Sequence, residues 1–215
     1  MIAIIDHGLG NLLSVRKAFE AVGGNMPVEI VKSPKLLESA ERIVMPGVGN
    51  FHKGMDNLES MGLIDSLRKA VVDGGIPMLG ICLGMQLLAE IGEEFGPRQG
   101  LNYIPGRVRL LDSVGFEMPH LGWDDIEIRD HSILFPEDAN ERDYYFVHSY
   151  VFDCPEEYVL AWCDYGEKFP AAVQKDNIYG IQFHPEKSRA WGLDILRNFV
   201  RGEECSKSAW FLSFF

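Results

Sequence analysis

Ile76-Pro77-Met78-Leu79-Gly80-Ile81-Cys82-Leu83-Gly84-Met85-Gln86 is an apolar run that closes on a cysteine held between two glycines. The run Ile76–Ile81 reads as a buried strand, and Met85–Ile91 reads as the start of the next helix. Gly80-Ile81-Cys82-Leu83-Gly84 between them has the form of a nucleophile elbow. A nucleophile on a strained strand-to-helix turn leaves no room for neighbouring Cβ atoms, hence the flanking glycines. The helix that follows aims its N-terminus at the sulfur and favours the charged thiolate. The N–H of Leu83 is placed to serve as an oxyanion donor. Taken alone, the pentapeptide is equally compatible with a structural cysteine buried in a tight turn.

Downstream, His184-Pro185-Glu186 follows the apolar strand Ile178–Phe183. Positions i and i+2 of an extended segment share a face, and Pro185 keeps His184 extended. An isolated pair of this kind is ordinarily a surface histidine beside a solvated glutamate. With an elbow elsewhere in the chain, it supplies a base and its orienter. The expected catalytic set is therefore Cys82, His184 and Glu186. His184 takes the thiol proton and later returns one to the leaving amine, and Glu186 orients the ring. Pro46-Gly47-Val48-Gly49 lacks the Lys-Ser/Thr of a Walker loop. Beside a catalytic site its peptide N–H groups suit an oxyanion hole, with Gly47 and Val48 joining Leu83. By itself the segment is an ordinary turn.

The first half of the chain alternates short apolar runs with amphipathic stretches. Strands are expected at Met1–Asp6, Val28–Val31, Arg42–Met45 and Ile76–Ile81. Helices are expected at Asn11–Val22 and Met55–Val72, the latter broken near Gly62. This βαβα order implies a mostly parallel sheet flanked by helices, whose sites lie at the C-terminal strand ends. Asp6–Asn11, Pro46–Gly49 and the elbow all fall there. The second half is strand-rich: Arg107–Leu111, Asp124–Ile128, Tyr144–Phe152, Val159–Trp162, Ala171–Gln174 and Ile178–Phe183. A last helix covers Arg189–Val200. The fold class is α/β with an additional β region.

The chain has 215 residues, 47% apolar and 24% charged, with a formal net charge of -12. One domain over residues 1–201 is expected, with an aromatic tail over 202–215. The acidic balance argues against a nucleic-acid partner, which requires basic patches. No apolar run approaches the ~20 residues that span a bilayer, so no membrane segment is expected. Met1–Asp6 lacks a basic n-region and a cleavage site. Cys82, Cys154, Cys163 and Cys205 contain no CxxC pair. They read as reduced thiols of a cytoplasmic protein with no zinc signature, so neither metal nor cofactor is expected.

Four segments together resemble the class I glutamine amidotransferases: Gly80–Gln86, Pro46–Gly49, Phe146-Val147-His148-Ser149-Tyr150 and Gln182–Ser188. Ile5–Asn11, Pro119-His120-Leu121-Gly122-Trp123 and Ala172-Val173-Gln174-Lys175 are similar to one branch, the glutaminase subunits of imidazole glycerol phosphate synthase. The resemblance covers about Met1 to Val200. It implies the flavodoxin-like fold of that family and L-glutamine as substrate, with Cys82 forming a glutamyl thioester and releasing ammonia. It implies that Gly49, Gly84, Gln86, Ser149 and Tyr150 bind the substrate. It also implies a heterodimer with a (β/α)8 cyclase that takes the ammonia through a tunnel, with Asn11, Trp123 and Lys187 near the interface. Two positions depart from that branch: His7 stands where Tyr is common, and Asp124 where Gly-Trp-Asn is typical. Asn50–Leu58 and Gln174–Tyr179 are instead similar to paralogues found with surface-polysaccharide enzymes. The resemblance thus leaves a sugar amidotransferase as an alternative acceptor, and a non-catalytic binding subunit as a further one.

Overall fold

The computed structural model describes residues 1–129, 132–135 and 142–202. The expected aromatic tail beyond Gly202 lies outside the described residues. The first half runs β1 (Ile2–Ile5), α1 (Leu12–Val22), β2 (Val28–Val31), β3 (Arg42–Gly47), α2 (Phe51–Ser60), α3 (Leu63–Arg68), β4 (Met78–Cys82) and α4 (Leu83–Gln86). The second half runs β5 (Ile91–Gly92), β6 (Arg98–Gln99), β7 (Arg107–Leu110), β8 (His120–Asp125), β9 (Glu127–Ile128), β10 (Asp143–His148), β11 (Tyr150–Asp153), β12 (Val159–Asp164), β13 (Lys168–Lys175), β14 (Ile178–Ile181) and α5 (Arg189–Arg201).

An eight-stranded sheet of order β2-β1-β3-β4-β14-β13-β12-β9 forms the body. The pairs from β2 to β14 are parallel, and the remainder are antiparallel. Strands β1 and β4 are buried along their whole length, as parallel strands covered on both faces must be. One core layer packs α1 and α5 against the sheet through Val15, Phe19, Ile195 and Phe199. The opposite layer packs Phe51, Met55, Leu58, Leu63 and Leu67. Asn11 caps α1 and Asn50 caps α2, each side-chain oxygen accepting a backbone N–H of the first turn. Gly62, at φ +65°, breaks the α2–α3 segment where the sequence predicts a break. No helix among the described residues is long and apolar enough to cross a membrane.

Several expectations are corrected. The helix after the elbow ends at Gln86 rather than continuing towards Ile91. Leu87, Leu88 and Ala89 are fully buried, and their carbonyls accept N–H groups from residues 101–104 of a returning loop. That non-local pairing replaces a second helical turn. Tyr144–Phe152 is two strands broken at Ser149: β10 pairs with β8, and β11 pairs with β7 in a different sheet. Asp124–Ile128 is likewise split, and its first strand begins at His120.

Candidate active site

Cys82 ends β4 in a conformation with φ 55° and ψ -111°, which few non-glycine residues adopt. The surroundings enforce it. A Cβ on Gly80 would sit 2.6 Å from the Gly84 carbonyl oxygen, and one on Gly84 would sit 1.6 Å from that of Met45. The glycines let α4 lie against β3 and β4, and the thiol is left 5% exposed at the C-terminal sheet edge. The thiol donates to the Val147 carbonyl at 3.9 Å, and the Gln182 side-chain amide donates to the sulfur at 3.7 Å.

His184 and Glu186 follow β14, the strand beside β4. His184 Nδ1 lies 2.8 Å from Glu186 Oε1, and both side chains are buried. The carboxylate can only accept here, so Nδ1 carries the proton. Nε2 and Glu186 Oε2 are buried without hydrogen-bond partners. Burial opposes the imidazolium, but interaction with Cys82 and Glu186 outweighs it and raises the His184 pKa to about 10. The Cys82–His184 contact is not a closed hydrogen bond in distance and angle. Such contacts commonly tighten only when substrate binds. A histidine with its pKa raised above 6.5 adds stability that is complete below that value and is lost as pH rises through about 10. Denaturant midpoints are therefore expected to fall between pH 6.5 and 10, with a shallower fall in Glu186→Gln. Equal slopes in the two proteins would contradict the ion-pair reading.

A pocket of about 300 Å³ opens at the sulfur, lined by Val48, Gly49, Leu83, Gln86, His148, Ser149, Tyr150 and Lys187 among others. Of the expected oxyanion and substrate residues, Gly47 and Gly84 are not in the lining. Gly47 pairs in register with Cys82 from the adjacent strand β3. Gln86 is buried, and its amide N–H group donates to the Tyr150 carbonyl at 2.8 Å and to Gln182 Oε1 at 3.1 Å. At the rim, Lys187 Nζ lies 5.0 Å from the centroid of the Tyr145 ring. Tyr145 meets Trp123 edge-on, and the Arg189 guanidinium covers Trp123 at 4.3 Å. Trp123 is 41% exposed and Asn11 is exposed at the head of α1.

Three polar residues at the site had no role assigned from the sequence. Gln182 touches the nucleophile, and His148 donates from Nδ1 to the Tyr150 carbonyl at 3.0 Å. His7 Nε2 donates to the Pro46 carbonyl at 2.8 Å and so fixes the peptide entering the glycine loop. Gln182 left a trace in the sequence, as a polar residue inside an apolar strand run.

The elbow, the buried His–Glu pair and the parallel sheet that carries them define a class. The chain belongs to the class-I glutamine amidotransferases, whose family profile (Glutamine amidotransferase class-I) matches residues 3–202. It is 46% identical over 203 residues to imidazole glycerol phosphate synthase subunit HisH 1 of Campylobacter jejuni strain RM1221, spanning 94% of this chain and 100% of that one. It is 44% identical to the HisH subunit of Moorella thermoacetica, over 92% of this chain and 93% of the relative. The fold is also that of a crystal structure of glutamine amidotransferase, with TM-score 0.71 at 19% identity, covering 94% and 99% of the two chains. PurLQS from Thermotoga maritima gives TM-score 0.70 at 15% identity over 94% and 97%.

Proposed function

We propose that this chain is the glutaminase subunit of an imidazole glycerol phosphate synthase, and that Cys82, His184 and Glu186 hydrolyse L-glutamine to glutamate and ammonia. The observation that carries the chemistry is the buried His184–Glu186 pair beside a cysteine held at positive φ. Identity to the HisH relatives along nearly their whole length carries the pathway.

Cys82 Sγ attacks the side-chain amide carbon. His184 Nε2 holds the proton given up by the thiol and delivers it to the amine as the C–N bond breaks, so ammonia leaves and a glutamyl thioester remains. Water, deprotonated by the same nitrogen, then releases glutamate and restores the thiol. Glu186 holds Nδ1–H and stabilises the imidazolium at each step. Val48 and Leu83 flank the sulfur and suit the oxyanion, with Gly47 positioning the loop. Gly49, Gln86, Ser149 and Tyr150 line the space for the amino-acid end of the substrate, and Gly84 gives the packing room that keeps Gln86 there.

Lys187, at the pocket rim, continues through Tyr145 to Trp123 as one surface strip. A synthase subunit seated on Trp123, Lys187 and Asn11 closes the pocket mouth, so ammonia passes into the partner instead of water. The partner chemistry is a (β/α)8 cyclase, the assembly is a heterodimer and the location is the cytoplasm. The test is glutamine turnover by the purified chain alone, with the cyclase of the same organism, and with cyclase plus its nucleotide substrate. A rise of at least about 10²-fold in the last case is expected, the scale of a catalytic constellation completed on assembly. No rise in a folded chain would remove the histidine pathway and move the acceptor to an activated sugar.

A further inference from the structure

Away from Cys82, β8 carries a second polar cluster that glutamine hydrolysis does not use. His120 and Asp124 share one face of the strand across Gly122, which has no side chain and bends the backbone at φ +152°. His120 Nε2 therefore comes within 3.3 Å of Asp124 Oδ2. Cys163 on β12 projects to the same place. Its sulfur, one His120 ring nitrogen and one Asp124 oxygen all lie within 4.8 Å of one another. His120 and Cys163 are buried, and Asp124 opens to solvent.

Hydrogen bonding fixes the tautomers of this cluster. The Tyr150 carbonyl can only accept, so His148 Nδ1, 3.0 Å away, carries hydrogen. Both rings are buried, and they share one hydrogen across their contact. With its hydrogen on Nδ1, a neutral His148 accepts at Nε2 from His120 Nδ1 at 3.1 Å. That leaves His120 Nε2 bare, its lone pair set against a carboxylate. A lone pair and a carboxylate oxygen 3.3 Å apart are bridged by a proton or, with a third ligand at hand, by a metal cation.

The local field asks for the same thing. Among the described residues, the carboxylates Asp125, Asp143 and Asp164 lie near Asp124 and Cys163. Asp125 and Asp143 stand directly opposite one another in the β8–β10 register, a destabilising like-charge pair.

We propose that His120 Nε2, the Asp124 carboxylate and the Cys163 thiolate bind one divalent cation of the zinc class, clamping β8 of the small sheet to β12 of the large one. Two ligands each about 2.0–2.1 Å from zinc and 3.3 Å apart subtend roughly 107°, close to the tetrahedral angle. With the three ligand atoms within 4.8 Å of one another, the sulfur has to close in by up to roughly 1.3 Å to reach its own bond length of about 2.3 Å. Binding replaces the Cys163 thiol proton, which passes to solvent, and a water completes the fourth position on the open Asp124 side. The sequence gives no warning of such a site, because its ligands are spread over two strands with no CxxC spacing. The cation also fixes His120 and, through His148, the Tyr150 carbonyl that Gln86 holds from the other side.

The test uses the full chain stripped with chelator and titrated with cobalt(II). One equivalent is expected to produce thiolate-to-cobalt absorption in the near ultraviolet with the visible bands of four-coordination, and zinc is expected to displace it. Cys163→Ser is expected to lose the near-ultraviolet band, and Cys82→Ser to retain it. Asp124→Asn is expected to weaken binding at least about tenfold. No band at saturating cobalt in a folded protein overturns the site, as does a band that survives Cys163→Ser. If Cys163→Ser does not fold, the isosteric and partly exposed Asp124→Asn decides, and unchanged cobalt affinity there overturns the site.

Discussion

Cys82→Ala is expected to lower glutamine turnover in the assembled synthase by at least about 10⁴-fold and leave the fold in place. The first half of that expectation follows from the absence of a substitute nucleophile among the described residues. Cys154 lines the mouth of a separate cleft with Glu90 and Arg107, and Cys163 is buried on β12. Removing the sulfur removes the bond-forming atom, whereas the pocket and its backbone donors remain and support only residual hydrolysis. The second half follows from how little the thiol contributes to packing. Its polar contacts are long, at 3.7 and 3.9 Å, and the strained φ of Cys82 is no worse for alanine. The stability change is expected within about 1–2 kcal/mol. Steady-state turnover with cyclase and nucleotide present, together with a urea melt, checks both halves. Turnover above a tenth of the parent value would remove Cys82 from the mechanism.

Gly84→Ala is expected to be the most destructive single methyl group in the chain, at a cost of at least ~4 kcal/mol. The added Cβ lands 1.6 Å from the Met45 carbonyl oxygen and 2.8 Å from its carbon. Those are backbone atoms of β3, a buried strand paired on both sides, so they cannot move aside without breaking the parallel sheet. The alternative is for α4 to lift off the sheet, which carries Leu83 and Gln86 away from Cys82. A loss of that size consumes much of the ~5–15 kcal/mol by which domains are ordinarily stable. Gly24→Ala is the matched comparison. Gly24 also has positive φ, +59°, but an added Cβ there meets nothing within 4 Å. Only backbone strain of about 1–2 kcal/mol is expected. Soluble yield and urea midpoints of the two variants are the measurement. Similar losses would mean that α4 does not depend on this close approach.

These two substitutions also show where the sequence is readable. The parallel half of the sheet is legible because its strands are buried on both faces and its helices carry apolar stripes behind asparagine caps. Both signals are local. The elbow is legible for the same reason: two glycines and a cysteine in five residues are a local constraint on backbone shape. The early end of the helix at Gln86 is not legible, since residues 101–104 take the carbonyls of Leu87, Leu88 and Ala89. Nor is the start of α2 at Phe51, four residues before the expected Met55. There the Asn50 cap and the Glu94 carboxylate, which accepts the Phe51 N–H at 2.8 Å, outweigh the weak apolar periodicity of the first turn.

By itself the sequence determined the α/β class, the parallel character of the first half and the identity of Cys82, His184 and Glu186 as the residues to watch. Each rests on local patterns, where backbone geometry dictates which residue types fit, and the catalytic set on two such patterns taken together. Only the tertiary structure decided which side chains meet across segments. It brought Gln182 to the sulfur, His148 to His120, and Cys163 to His120 and Asp124. Those meetings depend on sheet order and on the break at Ser149, which are settled by burial and hydrogen bonding between segments far apart in the chain.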